Sequence, residues 1–112
     1  MQDRRRHLRR EGALSVDYDV IGPDYLKSSA ECKNISAGGI CVPLRHRLNL
    51  GTPLKLKLNL IDYKECLDLE GRIVWLRDMQ DEEFPYLAGI EFLNIDIVKQ
   101  KKILDYVKNR LA

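Results

Sequence analysis

Apolar and polar residues alternate one by one along several short stretches of this chain. That spacing places successive side chains on opposite faces of a β-strand. The clearest case is Leu54-Lys55-Leu56-Lys57-Leu58-Asn59-Leu60, where four leucines face one way and Lys55, Lys57 and Asn59 the other. Leu14 to Ile21 sets Leu14, Val16, Tyr18 and Val20 against Ser15, Asp17 and Asp19, and ends at the turn signal Gly22-Pro23-Asp24. Ser28 to Ile35 is a weaker strand. Gly39 to Leu44 is a short apolar one, in which Pro43 indicates an edge or a bulge. Cys66 to Leu76 keeps Leu67, Leu69, Ile73 and Trp75 in step, which predicts Trp75 in the core; the pattern is interrupted at Gly71, where a barrel strand can bend. Tyr86 to Leu93 is the last strand, preceded by the solvated loop Asp81-Glu82-Glu83, and Gly89 permits close backbone approach within it.

From Asn94 onward the period changes. Ile97, Leu104, Val107 and Leu111 fall on one side with Ile103 beside them, and Lys99, Lys102, Asp105 and Lys108 fall outside. This is an amphipathic helix, capped by Asn94 or Asp96. The expected fold is therefore mainly β: a six-stranded antiparallel β-barrel with a C-terminal α-helix packed on it. Residues 14–93 form the barrel and 94–112 the helix, within a single domain, and 1–13 are a flexible arm.

Charge sharpens that division. Residues 1–10 carry Arg4, Arg5, Arg6, Arg9 and Arg10 against the one acid Asp3, while the rest of the chain holds 14 basic and 16 acidic residues of the 19 and 17 in total. The basicity is an appendage to a slightly acidic body, as expected of an arm that meets a phosphate-rich partner. At 112 residues the chain can bury a core without covalent staples. Its three cysteines, Cys32, Cys41 and Cys66, are odd in number and lack metal-ligand spacing, which fits neither a disulfide framework nor a zinc site. A reducing cytoplasm is the expected location. No apolar run reaches the length of a membrane span, and the N-terminus lacks the apolar region of a signal peptide.

Two short patterns carry chemistry. Arg4-Arg5-Arg6-His7-Leu8-Arg9-Arg10 contains Arg-x-x-x-Arg in two registers, Arg5/Arg9 and Arg6/Arg10. Asn34-Ile35-Ser36-Ala37-Gly38-Gly39 is an Asn-x-Ser-x-x-Gly between two strands. Alone, an arginine run is often a solvated tail. An Asn-Ser-Gly-Gly segment alone is often just a turn, with Asn and Ser bonding locally and Gly supplying positive φ. The same segment matches an N-glycosylation acceptor, which has meaning only in a secreted chain.

Taken in order, with strands between them and a helix at the end, the two patterns resemble the PilZ domain family over nearly the whole chain. Gly71-Arg72-Ile73-Val74-Trp75 and Gly89-Ile90-Glu91-Phe92 are similar to that family's later strands. The resemblance implies a receptor that binds cyclic di-GMP, a bacterial second messenger, without altering it and without a cofactor. It places Arg5 and Arg9 (or Arg6 and Arg10), Asn34, Ser36, Gly38 and Gly39 at the ligand. The first register is favoured because a third arginine before the pair and an apolar penultimate residue are common in the family. In either register an arginine, Arg4 or Arg5, precedes the pair, at a position that in the family influences whether one or two ligand molecules bind. The lean here is to two.

Residue chemistry agrees with that assignment. An arginine fork bonds bidentately to guanine O6 and N7 or to phosphate, and stacks on a purine face. A flexible arm orders as it wraps the ligand, and the ordering alters a surface that a partner protein reads. Asn34 stands where the family has Asp or Asn; as a neutral amide it holds guanine N–H groups less strongly than a carboxylate does.

The remaining candidates are weaker. His7 sits within the arm, near where phosphate would lie. His46, between Arg45 and Arg47, reads as surface loop. No pair of carboxylates suggests acid/base work, so the chain is not expected to be an enzyme. Two other classes stay open: a nucleic-acid-binding barrel, disfavoured by the acidic body and the lack of aromatic ladders, and a protein–protein module that has lost its ligand.

Overall fold

The computed structural model describes residues 14–21, 26–32, 34–60 and 65–111. Arg4, Arg5, Arg6, His7, Arg9 and Arg10 lie outside the described residues. Seven strands and one helix follow along the chain: β1 (Leu14–Val20), β2 (Leu26–Cys32), β3 (Asn34–Ile35), β4 (Gly39–Leu44), β5 (Pro53–Leu60), β6 (Glu65–Asp78), β7 (Tyr86–Leu93) and α1 (Ile97–Leu111). The strands form one antiparallel sheet in the order β2-β1-β5-β6-β7-β4-β3. β2 and β3 stand at opposite ends of that order, yet only Lys33 separates them in sequence. The sheet therefore curls into a nearly closed barrel.

The strand expected over Ser28–Ile35 is divided in two. β2 pairs with β1, whereas the two-residue β3 pairs with β4. A chain that closes a barrel must leave one edge and join the other, and the alternation of side chains carries no mark of that transfer. Pro43 lies in β4 beyond the reach of β3, on a strand flank that needs no amide donor, as the sequence indicates.

Register explains the alternation. Tyr18, Leu56 and Leu69 lie in one row across β1, β5 and β6, and Val16, Leu58 and Leu67 in the next; all six face the barrel interior and are buried. Fully burying such aliphatic side chains stabilises the fold by about 1.5–3 kcal/mol each. Outward from the same strands, Asp17, Lys57 and Asp68 are direct neighbours, as are Asp19, Lys55 and Glu70. Opposite charges facing across strands favour this register over a slip by one residue.

β6 runs unbroken through Gly71, which pairs with Leu54 of β5 and Phe92 of β7. Gly71 is buried, and a Cβ there would stand 2.7 Å from Ile90 Cγ2 and 3.0 Å from Leu56 Cδ1, so the glycine makes room for side chains of both neighbouring strands. The break in β6 comes later. Ile73 pairs with Ile90, but the next partner of Gly89 is Trp75, leaving Val74 as an extra residue. This bulge switches the parity of the strand. Trp75 consequently turns to the outer face and is 40% exposed, against the expectation of a core tryptophan.

Asp96 caps α1: its Oδ1 accepts from the amide of Lys99 at 2.8 Å. Asn94, the other candidate, is the left-handed residue (φ 53°) between β7 and the helix. Among the described side chains of α1, Ile103, Tyr106 and Val107 are buried, while Ile97 (79%) and Leu104 (38%) are exposed. The helix is thus rotated from the expected stripe. Two overlapping apolar stripes share Val107, and the larger area of the Tyr106 ring decides between them. Replacing Asp96 with alanine is expected to destabilise the fold by about 1 kcal/mol, read as a lower midpoint in urea unfolding with an unchanged slope.

Candidate functional site

The Asn-x-Ser-x-x-Gly segment forms the β3–β4 hairpin. Ser36 N donates to the Gly39 carbonyl at 3.0 Å, closing the turn. The Ser36 hydroxyl accepts from Gly38 N at 3.3 Å, so its own proton remains available to a ligand. The Gly38 carbonyl accepts from Phe92 N at 3.0 Å, which ties the turn to β7. On the other side, the Cys32 thiol donates to the Asn34 carbonyl at 2.8 Å. Burial pushes that thiol up to about 12, so it stays a protonated donor and not a reactive thiolate.

Gly38 and Gly39 are not there for a left-handed backbone. Among the described residues the glycine with positive φ is Gly51, at 84°. Gly39 answers a steric need instead: a Cβ there would stand 2.3 Å from the carbonyl oxygen of Ile90. Around Gly38 there is open space.

Sheet register then gathers residues from four strands on the outer face. Asn34, Cys41, Gly89 and Trp75 are successive partners in one row across β3, β4, β7 and β6. Gly39, Glu91 and Arg72 form the adjacent row, and Pro43, Leu87 and Arg77 the row on the other side. Gly89 lies beneath the indole, since a Cβ there would come within 2.0 Å of Trp75 Nε1. The Arg77 guanidinium lies over the Trp75 ring at 5.6 Å from its centroid. All of these residues except Arg72 and Pro43 line a cleft of about 390 Å³.

The cleft brings Asn34, Ser36, Gly38 and Gly39 together, as the motif implies. It also contains Trp75, Arg77 and Glu91, which sequence reasoning did not assign to the site. A signal for Trp75 is present: Ile73-Val74-Trp75-Leu76 is a run of four apolar residues that breaks the alternation of the strand where the bulge falls. The other basic candidates stand elsewhere. His46 is exposed, Arg45 bonds Glu83 at 3.3 Å and lies 4.6 Å over Phe84, and Arg47 donates to Asn49 at 3.3 Å. A larger cleft, about 720 Å³, runs over the charged rows of β1, β5 and β6. It holds none of the motif residues, and its charged lining is Asp17, Asp19, Asp68 and Glu70 beside Lys55, Lys57 and Lys99.

Chemically, the smaller cleft offers an indole face, a guanidinium, an amide, a hydroxyl and one carboxylate around glycine-thinned backbone. That suits a flat, polar-edged ring and includes no paired nucleophile and base. Among the described residues no helix is long and apolar enough to cross a membrane.

Comparison with known proteins gives a consistent picture. The family profile of the PilZ domain matches residues 3–109. The inhibitor of motility MotI/DgrA of Bacillus subtilis is similar in structure, with a TM-score of 0.75 and 23% identity over 98% of this chain and 52% of its own. YcgR of Escherichia coli, in complex with cyclic di-GMP, gives a TM-score of 0.76 and 14% identity over 96% of this chain and 46% of its own. The PilZ domain of CeSA from a cellulose-synthesizing bacterium gives 0.65 and 16% identity over 93% of this chain and 98% of that domain. This chain spans about half the length of the first two. No curated protein matches it.

Proposed function

The chain belongs to the PilZ domain family, and from that premise we propose that it is a cytoplasmic receptor for cyclic di-GMP. The observation that carries this reading is the row Asn34–Cys41–Gly89–Trp75, which sets the motif turn beside an indole on the barrel surface. One guanine packs against the Trp75–Arg77 stack and meets Asn34 and Ser36 with its polar edge. Arg5 and Arg9 reach over the ligand from the N-terminal segment, bonding phosphate and base. Arg4 stacks on a second ligand molecule, giving two per chain. The arm, ordered by the ligand, then presents a changed surface to a partner protein. The ligand leaves unaltered.

Trp75 is the only tryptophan in the sequence, so the proposal has a direct optical test. Titration with cyclic di-GMP is expected to change its emission saturably, and calorimetry on the same sample gives the stoichiometry. Emission that stays flat while ligand is in large excess would refute this site.

A further inference from the structure

The geometry points to Glu91 as the residue that makes this cleft choose guanine over adenine; the inference rests on the cyclic di-GMP reading above. Glu91 is the one carboxylate among the residues lining the cleft. Its neighbours across the sheet are Gly39 of the motif turn and Arg72, and it stands two residues along β7 from Gly89, over which Trp75 lies. It is therefore at the edge of the surface on which a base would stack.

Its own hydrogen bonding leaves it half engaged. Arg72 approaches through Nε at 3.2 Å and Nη2 at 3.1 Å, and both contacts fall on Oε1. Oε2 has no partner among the described residues. An ion pair this exposed, at 51% and 45% of the two side chains, adds little stability in water. The pairing engages one oxygen and leaves Oε2 without a partner among the described residues.

Guanine and adenine differ in what they offer such an oxygen. The guanine edge carries two adjacent donors, N1–H and the N2 amino group. The corresponding edge of adenine carries one amino group beside a bare N1 lone pair, which a carboxylate repels. An ionised carboxylate is acceptor-only, so it discriminates between the two more sharply than an amide, which can rotate to suit either. Asn34 is an amide, and Glu91 supplies the charge that Asn34 lacks.

The test pairs a protein change with a ligand change. Affinities of the wild-type chain and Glu91→Gln are measured by calorimetry for cyclic di-GMP and for cyclic di-IMP, which lacks only the N2 amino groups. The wild type is expected to prefer cyclic di-GMP by about tenfold or more, the size of a charge-assisted hydrogen bond, and in Glu91→Gln this preference shrinks towards unity. Cyclic di-AMP is expected to gain on cyclic di-GMP in the same variant. A merely structural Glu91 would weaken both ligands equally and leave the preference intact, and that result overturns the inference. Failure of the wild type to bind cyclic di-GMP at all would instead remove the receptor reading, and this inference with it. Thermal unfolding of both proteins without ligand separates either result from misfolding.

Discussion

Changing Arg5 and Arg9 together to alanine is expected to weaken cyclic di-GMP binding by more than about a hundredfold. In the proposed site each guanidinium would offer a planar set of donors to phosphate or to the guanine O6/N7 edge, and a charge-assisted contact of this kind is worth about 1.5–3 kcal/mol. Two such losses compound because alanine leaves the phosphate charge with nothing but water. Lysine in the same places is expected to restore part of the affinity, since charge returns without the bidentate fork. The companion double change, Arg6 and Arg10, identifies the register: the pair whose removal costs more is the clamp. Calorimetry at one fixed ionic strength is the appropriate measurement, because added salt weakens all four arginines alike. Binding that survives both double variants would show that the arm is not part of the site.

Alanine at Gly39 is the second large effect, and it acts on fold and site together. The added Cβ would lie 2.3 Å from the Ile90 carbonyl, a backbone atom that cannot swing aside as a side chain can. β4 and β7 must therefore part locally, straining the bonds from Phe92 N to Gly38 O and from Ser36 N to Gly39 O. Overpacking of this kind costs about 1–3 kcal/mol, a fall of roughly 5–15 °C in melting temperature for a domain of this size. Ligand affinity falls with it, because the row Gly39–Glu91–Arg72 is displaced. Gly38→Ala is the control: nothing lies within 4 Å of its added Cβ, so its effect stays within about 0.5 kcal/mol. Equal melting temperatures for the two variants would contradict the steric account.

Most of the fold was legible because alternation is a strong signal where one face is buried. The β5 leucines and the Leu14–Val20 pattern marked which side chains face the interior, and slips by an odd number of residues were thereby excluded. Three features escaped for separate physical reasons. The division of Ser28–Ile35 into β2 and β3 follows from barrel closure, a property of the whole sheet. The rotation of α1 turned on Tyr106, which the apolar stripe did not count. The outward turn of Trp75 depended on where the bulge falls, and periodicity alone spreads that uncertainty over several residues. The motif turn was found from residue type and spacing. Its companions Trp75, Arg77 and Glu91 come from strands far along the chain, and only the pairing of β7 with β4 and β6 brings them to it.

The extra residue Val74 bears on how such a site is inherited. Codon substitutions can weaken the cleft by degrees, exchanging Glu91 or Arg77 for something less suitable. The bulge absorbs the extra residue: without Val74 the tryptophan would follow Ile73 directly, still opposite Gly89 and still outward, whereas a regular strand of the present length would set it opposite Ala88 and turn it inward. The length of β6 therefore does not by itself decide where the indole points; the pairing that keeps Trp75 opposite Gly89 does.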